Sequence, residues 1–466
     1  MFSNAYEIAL GRALYPGWER FRGRPTFPLL AYLHRMERAS LDELSALRGG
    51  CLRRVVHHAV SRTAHYKAAY GAVGVSGWDI SSLDDLHRLP LLERATAQRT
   101  VAERTAPWPR VAYSKTTSGS TGQPLEIRYS DESRHWRDAT RWRGFGWAGY
   151  RMGAKAMHVW GVPAVEPTYW QRARLAIDRK LRRDIYVSCM VRSPEVLRAM
   201  VETIRREKPS VIAGFAQAIA DLARFINAEG LRDWDTIRVV YGAERLWPHD
   251  REDLERAFGP RVFETYGCRE FMLMGSECEM HDGLHESMEN LVVEIVVREP
   301  GGGTRAARPG EEGEVAVTDL HNLANPFIRY LTGDLAIARA EVPCTCGRTL
   351  RRFGPVAGRV TDTLRDAAGN RVEGIIFNIL FLTLSKHTRQ FQVVQRADDR
   401  VMLKVVPADG VRLDPEAERI IRAFVGTHVR GVPFEIEVVT DIPLSAAGKL
   451  HRVLVEKKAS ADTGSG

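Results

Sequence analysis

The sequence predicts an α/β protein: a long first part on parallel-rich sheets, then a small β-rich stretch, then a smaller α+β unit. Three observations predict it. Between about residues 193 and 266, helices of 3.6-residue periodicity alternate with short apolar strands, the pattern of a largely parallel sheet. From Leu291 to Ala338 the chain turns strand-rich, punctuated by turns at Gly301-Gly302-Gly303 and Arg308-Pro309-Gly310. From about Leu364 a shorter α+β segment begins, with a hairpin of Phe391–Val394 and Val401–Val406 around Asp398-Asp399.

In chain order, residues 1 to about 110 read as helical. Ser40 caps a helix opening at Leu41, and Leu52, Val55, Val56 and Val60 keep the helical spacing. Ser193-Pro194 is a cap followed by proline at the first helical position, and Leu197, Met200, Val201 and Ile204 repeat on one face. The strand Val211–Gly214 follows, then a helix carrying Ile219, Leu222 and Ile226 that stops near Gly230. The strand Ile237–Tyr241, a helix to Phe258 and the strand Val262–Tyr266 complete the alternation. In such sheets ligands bind beyond the carboxyl ends of the strands. There is no internal repeat, and the small, polar tail 459–466 is expected to be disordered.

Composition narrows the class. The 466 residues are 44% hydrophobic and 27% charged, enough for one large domain or two to three ordinary ones. No apolar run approaches the roughly 18 residues that span a bilayer, and the N-terminus has no signal-peptide pattern. Six cysteines in so long a chain are not a secreted disulfide framework, so a reducing cytoplasm is expected. The net charge of +9 comes from arginines spread along the chain, densest at Arg179–Arg183; it reads as a solvated surface or one that favours polyanionic small molecules. No nucleic-acid-binding module accompanies it, and a homo-oligomer is compatible with the sequence.

The chemistry starts at Thr117-Ser118-Gly119-Ser120-Thr121-Gly122, followed by Gln123-Pro124. Glycine-freed backbone N–H groups and clustered hydroxyls suit nucleotide phosphates. Alone, such a run is more often a solvated loop, and it is no Walker loop, because no lysine follows the second glycine. Its partners downstream change the reading. Tyr241-Gly242-Ala243-Glu244 ends one strand, and Tyr266-Gly267-Cys268-Arg269-Glu270 ends the next. Arg329–Asp334, Gly358-Arg359-Val360-Thr361-Asp362 and Ile442–Leu450, with Lys449, follow in order.

Together these six motifs resemble the adenylate-forming superfamily of acyl-CoA synthetases, luciferases and adenylation domains. Gln392–Gln395 and the helical N-terminus are similar to its phenylacetate–CoA ligase-like and capsule-biosynthesis-like members. The resemblance implies a large adenylating domain over 1–361 and a small mobile lid domain over 362–458, hinged at Asp362. It implies that residues Thr117–Gly122 hold the ATP phosphates, that Gly242, Ala243, Glu244, Tyr266 and Gly267 contact adenine, that Asp334 holds the ribose hydroxyls, and that Arg359 contributes to nucleotide binding. Glu270 would bind Mg²⁺, and Lys449 would be the catalytic lysine, brought in by domain motion. The implied reaction is attack of a carboxylate on the α-phosphate of ATP, loss of pyrophosphate, and transfer of the acyl group to coenzyme A. An amine or carrier protein is the alternative acceptor; a nucleotide-binding protein without catalysis is disfavoured by Glu270, Asp334 and Lys449 occurring together.

Two departures bear on this reading. Gln123 stands where many members carry lysine, and Thr363–Arg371 is more polar than the phenylacetate-type pattern, which weighs against coenzyme A as the acceptor. Phe215, Ala216, Phe271, Met272 and Met274, with Trp160 less central, are candidates for an acid pocket suited to an aryl or medium apolar acid; each reads equally well as core. Finally, Cys278, His285, Cys344 and Cys346 could hold a structural Zn²⁺, as a similar set does in some phenylacetate–CoA ligase-like proteins, with His281 the competing ligand; the alternative is free thiols. Cys51 and Cys268 have no evident partner, and Cys268 reads as packing.

Overall fold

The structure is a computed structural model. It describes residues 7–117, 125–160, 168–189, 193–244, 246, 248–299, 303–359, 363–369, 371–373, 377, 380–381, 384, 387–408, 412–443, 450 and 452–456. The chain divides into two compact units, Met1–Val356 and Ala357–Gly466. Among the described residues, no helix is long and apolar enough to cross a membrane.

The first unit opens with helices. The longest, α1 (Leu41–Arg62), starts on a capping box in which the Ser40 side chain takes the Glu43 amide and Glu43 takes the Ser40 amide. It buries Leu44, Leu52, Val55, Val56 and Ala59. The short helix α2 (Arg94–Arg99) leads to the hairpin β1 (Tyr113–Thr116) and β2 (Glu126–Tyr129), then to α3 (Asp131–Trp147), capped by Ser130.

The alternating segment follows as β3 (Ala156–Trp160), α4 (Tyr169–Arg182), β4 (Asp184–Ser188), α5 (Pro194–Glu207), β5 (Val211–Phe215), α6 (Ala216–Ala228), β6 (Arg238–Gly242), α7 (Pro248–Phe258) and β7 (Val262–Cys268). Then come β8 (Met272–Glu277) and β9 (Leu284–Glu286), followed by β10 (Leu291–Arg298), β11 (Thr304–Ala306), β12 (Glu312–Asp319), β13 (Tyr330–Ile337), β14 (Arg352–Phe353) and β15 (Val356–Arg359).

The main sheet has eight strands in the order β14-β9-β8-β7-β6-β5-β3-β4. Pairings from β4 to β7 are parallel, as the alternating pattern predicts, and those from β7 to β14 are antiparallel. The sheet is therefore mixed. The reason is local: Tyr266–Glu270 does end β7, at Cys268, but the chain then turns tightly back into an antiparallel hairpin with β8. α5, α6 and α7 cover the parallel half with a core of Ile204, Ile212, Ile219, Leu222, Val239 and Phe258. A second core joins β2, β8, β10, β12 and β13 through Ile127, Met274, Val293, Val317 and Tyr330. A buried pair, Arg48 to Glu286 at 2.5 Å, ties α1 to β9.

The second unit contains the hairpins β16 (Thr363–Arg365) with β17 (Arg371–Glu373), and β18 (Thr388–Gln395) with β19 (Val401–Pro407). The helix α8 (Pro415–His428) packs Ile421 and Val425 into a core with Phe391, Val393 and Leu403, and β20 (Phe434–Val438) and β21 (Val453–Val455) extend the sheet in the order β20-β19-β18-β21.

Candidate nucleotide and metal sites

Parallel register sets the carboxyl edge of the main sheet. Gly214 pairs with Val159, Phe215 with Gly242, and Tyr241 with Glu264. At the roughly 4.8 Å spacing of neighbouring strands, Trp160, Phe215, Gly242 and Thr265 line one edge. Trp160 and Phe215 meet edge to face at 4.8 Å, and both are half-buried. Gly242 has no room for a side chain: a Cβ there would lie 2.6 Å from Thr265 Oγ1. Ala243 then turns with a φ of 66°, and Glu244 accepts a hydrogen bond at 3.2 Å from the Gln217 amide at the start of α6.

The hairpin turn carries the next group. Gly267 is obligatory, because a Cβ would lie 1.8 Å from the Met272 carbonyl oxygen. Arg137 of α3 clamps the turn from behind: one guanidinium nitrogen donates to the Arg269 carbonyl at 2.6 Å, another to the Glu270 carbonyl, and the plane lies 4.3 Å over the Tyr129 ring. The Tyr129 hydroxyl also donates to the Arg269 carbonyl. The Glu270 carboxylate, on a residue only 7% exposed, is thus projected from a braced turn.

Two networks assemble there. The Tyr266 hydroxyl donates to Asp334 Oδ2 at 2.7 Å. Burial first, and the Asp334 charge with it, push the Tyr266 phenol well above its ordinary range, so it stays a donor. Asp334 sits midway along β13, its amide donating to Thr332 Oγ1. The second network runs through Arg94 at the head of α2. Its guanidinium donates to Thr117 Oγ1 at 2.8 Å, and to Glu270 Oε1 and the Tyr330 hydroxyl at 3.3 Å each. The Leu92 amide donates to the Arg329 carbonyl and the Leu331 amide to the Leu92 carbonyl, which fixes this segment beside β13. Thr117 is held at the base of its loop by a mutual pair with Leu125. Tyr330 lies within the Arg329–Asp334 motif, whereas Arg94 escapes a motif reading; its only signal in the sequence is an arginine at the start of a short helix.

The structure therefore places Thr117 and Glu270 on one arginine, and Tyr266 with Asp334. Ser118–Gly122, Gln123, Asp362 and Lys449 lie outside the described residues, and for Arg359 only its place in β15 is described. Of the pocket candidates, Phe271 and Met274 are fully buried in the core with Tyr266 and Tyr330, and Ala216 is buried in the core of the parallel half. Met272 is partly exposed at the hairpin with a φ of 71°. Cys268 faces the same region, where burial and the neighbouring Glu270 charge keep its thiol protonated.

A second constellation stands at the antiparallel end of the sheet. Cys278 follows β8, His285 is in β9, and Cys344 and Cys346 are in the loop before β14. Their four donor atoms lie within 4.8 Å of one another. Cys278 Sγ is 3.8 Å from Cys344 Sγ, and Cys346 Sγ is 3.4 Å from His285 Nε2. A tetrahedron with Zn–S of about 2.3 Å and Zn–N of about 2.0–2.1 Å has edges of about 3.8 and 3.6 Å, so the donor set fits zinc. His285 Nδ1 bonds the Leu350 carbonyl at 3.1 Å, which turns the Nε2 lone pair toward the thiols. Burial, helped by the charges of Arg348, Arg352 and Arg143, pushes the His285 pKa down to about 4, so the ring is neutral. His281, the competing ligand, is elsewhere: it adopts a φ of 51°, and its Nδ1 lies 3.1 Å from Glu277.

No model of a known protein family matches the chain. It is 27% identical over 462 residues to the phenylacetate-coenzyme A ligase of Thermus thermophilus, covering 92% of this chain and 100% of that one. It is 26% identical over 355 residues to the Escherichia coli phenylacetate-coenzyme A ligase, covering 71% and 74%. Among solved structures, 2-hydroxyisobutyryl-CoA ligase bound to its acyl-adenylate superposes with a TM-score of 0.72 at 19% identity, over 91% of this chain and 92% of that one. In sequence and in fold, the chain is similar to enzymes of the adenylate-forming superfamily. Within it, the curated relatives are phenylacetate–coenzyme A ligases.

Proposed function

We propose that this protein is an ATP-dependent, AMP-forming ligase. It converts a carboxylic acid to an acyl-adenylate with release of pyrophosphate, then passes the acyl group to coenzyme A as a thioester. The observation that carries the reading is the pair of networks built on β7 and β13: Thr117 and Glu270 held by Arg94, with Tyr330 on Glu270, and Tyr266 bonded to Asp334. Asp334 has the geometry to accept hydrogen bonds from two adjacent ribose hydroxyls, with Tyr266 orienting it. Thr117 anchors the loop proposed to hold the triphosphate, and Lys449 is proposed as the cation at the α-phosphate. Glu270 suits magnesium: one hard carboxylate plus phosphate oxygens is the donor set that ion prefers, and when bound it would neutralise charge growing on the phosphates.

For the acid we propose an aryl or medium apolar chain, with the half-buried Phe215 and Trp160 at the carboxyl edge as the apolar wall. Full-length similarity to coenzyme A ligases favours that acceptor over an amine or carrier protein. A structural zinc at Cys278, His285, Cys344 and Cys346 is part of the proposal, as is a reducing cytoplasmic location, supported by six cysteines of which none forms a disulfide. The test is acid-dependent exchange of labelled pyrophosphate into ATP across a panel of acids, followed by thioester detection with coenzyme A. Exchange with no acid at all refutes adenylation; exchange without thioester formation refutes the acceptor.

A further inference from the structure

Glu270, the proposed magnesium ligand, is engaged. Its Oε1 receives hydrogen bonds from Arg94 at 3.3 Å and from the Tyr330 hydroxyl at 3.4 Å. Arg94 spans the gap between this carboxylate and Thr117, the root of the phosphate loop, and its side chain retains 31% of its exposure. A metal ion binding this oxygen competes with the guanidinium. An arginine displaced by a cation, and still tethered at the loop, has one nearby class of anion to meet: the phosphates the loop holds. The loop lacks a lysine of its own, because residue 123 is glutamine.

We propose that Arg94 is an exchangeable cation. In the nucleotide-free enzyme it pairs with Glu270; when magnesium takes that carboxylate, the guanidinium transfers to the triphosphate and supplies the charge that Gln123 does not. The fork geometry suits this, since guanidinium recognises carboxylate and phosphate with the same donors. The α2 backbone need not move, because it is fixed to β13 through Leu92. The inference rests on the adenylation reading.

The test is a cycle of variants read by calorimetric ATP binding, without acid, in EDTA and in saturating magnesium. Glu270→Gln should release Arg94 without any metal, so metal-free ATP should bind about threefold or more tighter than to wild type. That gain should vanish in the double variant Arg94→Ala/Glu270→Gln. In magnesium, Arg94→Ala should weaken ATP binding at least tenfold, the usual size of a lost charged hydrogen bond to phosphate, and Arg94→Lys should recover part of it. A gain that persists in the double variant reflects simple loss of repulsion and overturns the proposal, as does no gain in Glu270→Gln. If Arg94→Ala melts below wild type, Arg94→Gln takes its place in the cycle. Failure of wild type to bind ATP with magnesium would sink the adenylation reading itself, a separate outcome.

Discussion

Arg137→Met tests whether the braced hairpin turn sets the activity. Arg137 is 4% exposed and holds two carbonyl oxygens, those of Arg269 and Glu270, while stacking on Tyr129. Methionine keeps most of the length and apolar contact but donates nothing. Hydrogen bonds from a charged group contribute about 1.5–3 kcal/mol each, so losing two gives about 3–6 kcal/mol. The Arg269 carbonyl keeps its bond from the Tyr129 hydroxyl, which puts the expected loss near the lower end, about 3 kcal/mol. The functional effect should be larger. A shift of about 1 Å at a positioned group costs about a hundredfold in rate, and the Glu270 carboxylate is projected from the backbone that Arg137 holds. The assay pairs urea unfolding of the larger unit, followed by circular dichroism, with acid-dependent pyrophosphate exchange. Arg137→Lys, which restores one donor, should fall between. If Arg137→Met unfolds within about 0.5 kcal/mol of wild type, inside the ordinary range for an inconsequential substitution, and exchanges pyrophosphate within about twofold, the turn is not braced as argued.

Other expectations follow from the same geometry. Lys449→Ala should lose acid-dependent exchange by at least about a hundredfold while ATP binding is retained; full exchange activity would refute its role. Asp334→Ala should weaken ATP binding about tenfold or more through lost ribose contacts, read by calorimetry. Cys344→Ser with Cys346→Ser should abolish bound zinc measured by atomic emission, whereas His281→Ala should leave it unchanged. Burial raises the Asp184 carboxyl, but hydrogen bonds from His158 and Tyr150 and the nearby positive charges more than offset it, leaving the pKa below the ordinary value of 3.8. Its stabilisation is therefore present above pH about 4 and lost as pH falls through the lowered value; Asp184→Asn should flatten that acid limb of the unfolding profile.

The sequence by itself determined the alternation of helices and strands from Ser193 to Tyr266, because buried parallel strands and one-faced helices leave opposite periodicities. It also determined the residue types of the nucleotide motifs and of the Cys/His set, because that chemistry admits few substitutes. Tertiary structure alone decided the rest. Whether His281 or His285 faces the thiols depends on the pairing of β9 with β8 and β14, a long-range register that spacing does not encode. That the strand end at Tyr266–Glu270 turns back into a hairpin depends on Met272 accepting a left-handed conformation beside Gly267. Arg94 meets Thr117 and Glu270, 23 and 176 residues away, only because Leu92 adds itself to β13. A lone arginine carries no such address in its neighbours, since what it pairs with is set by chain segments that meet only when the core closes.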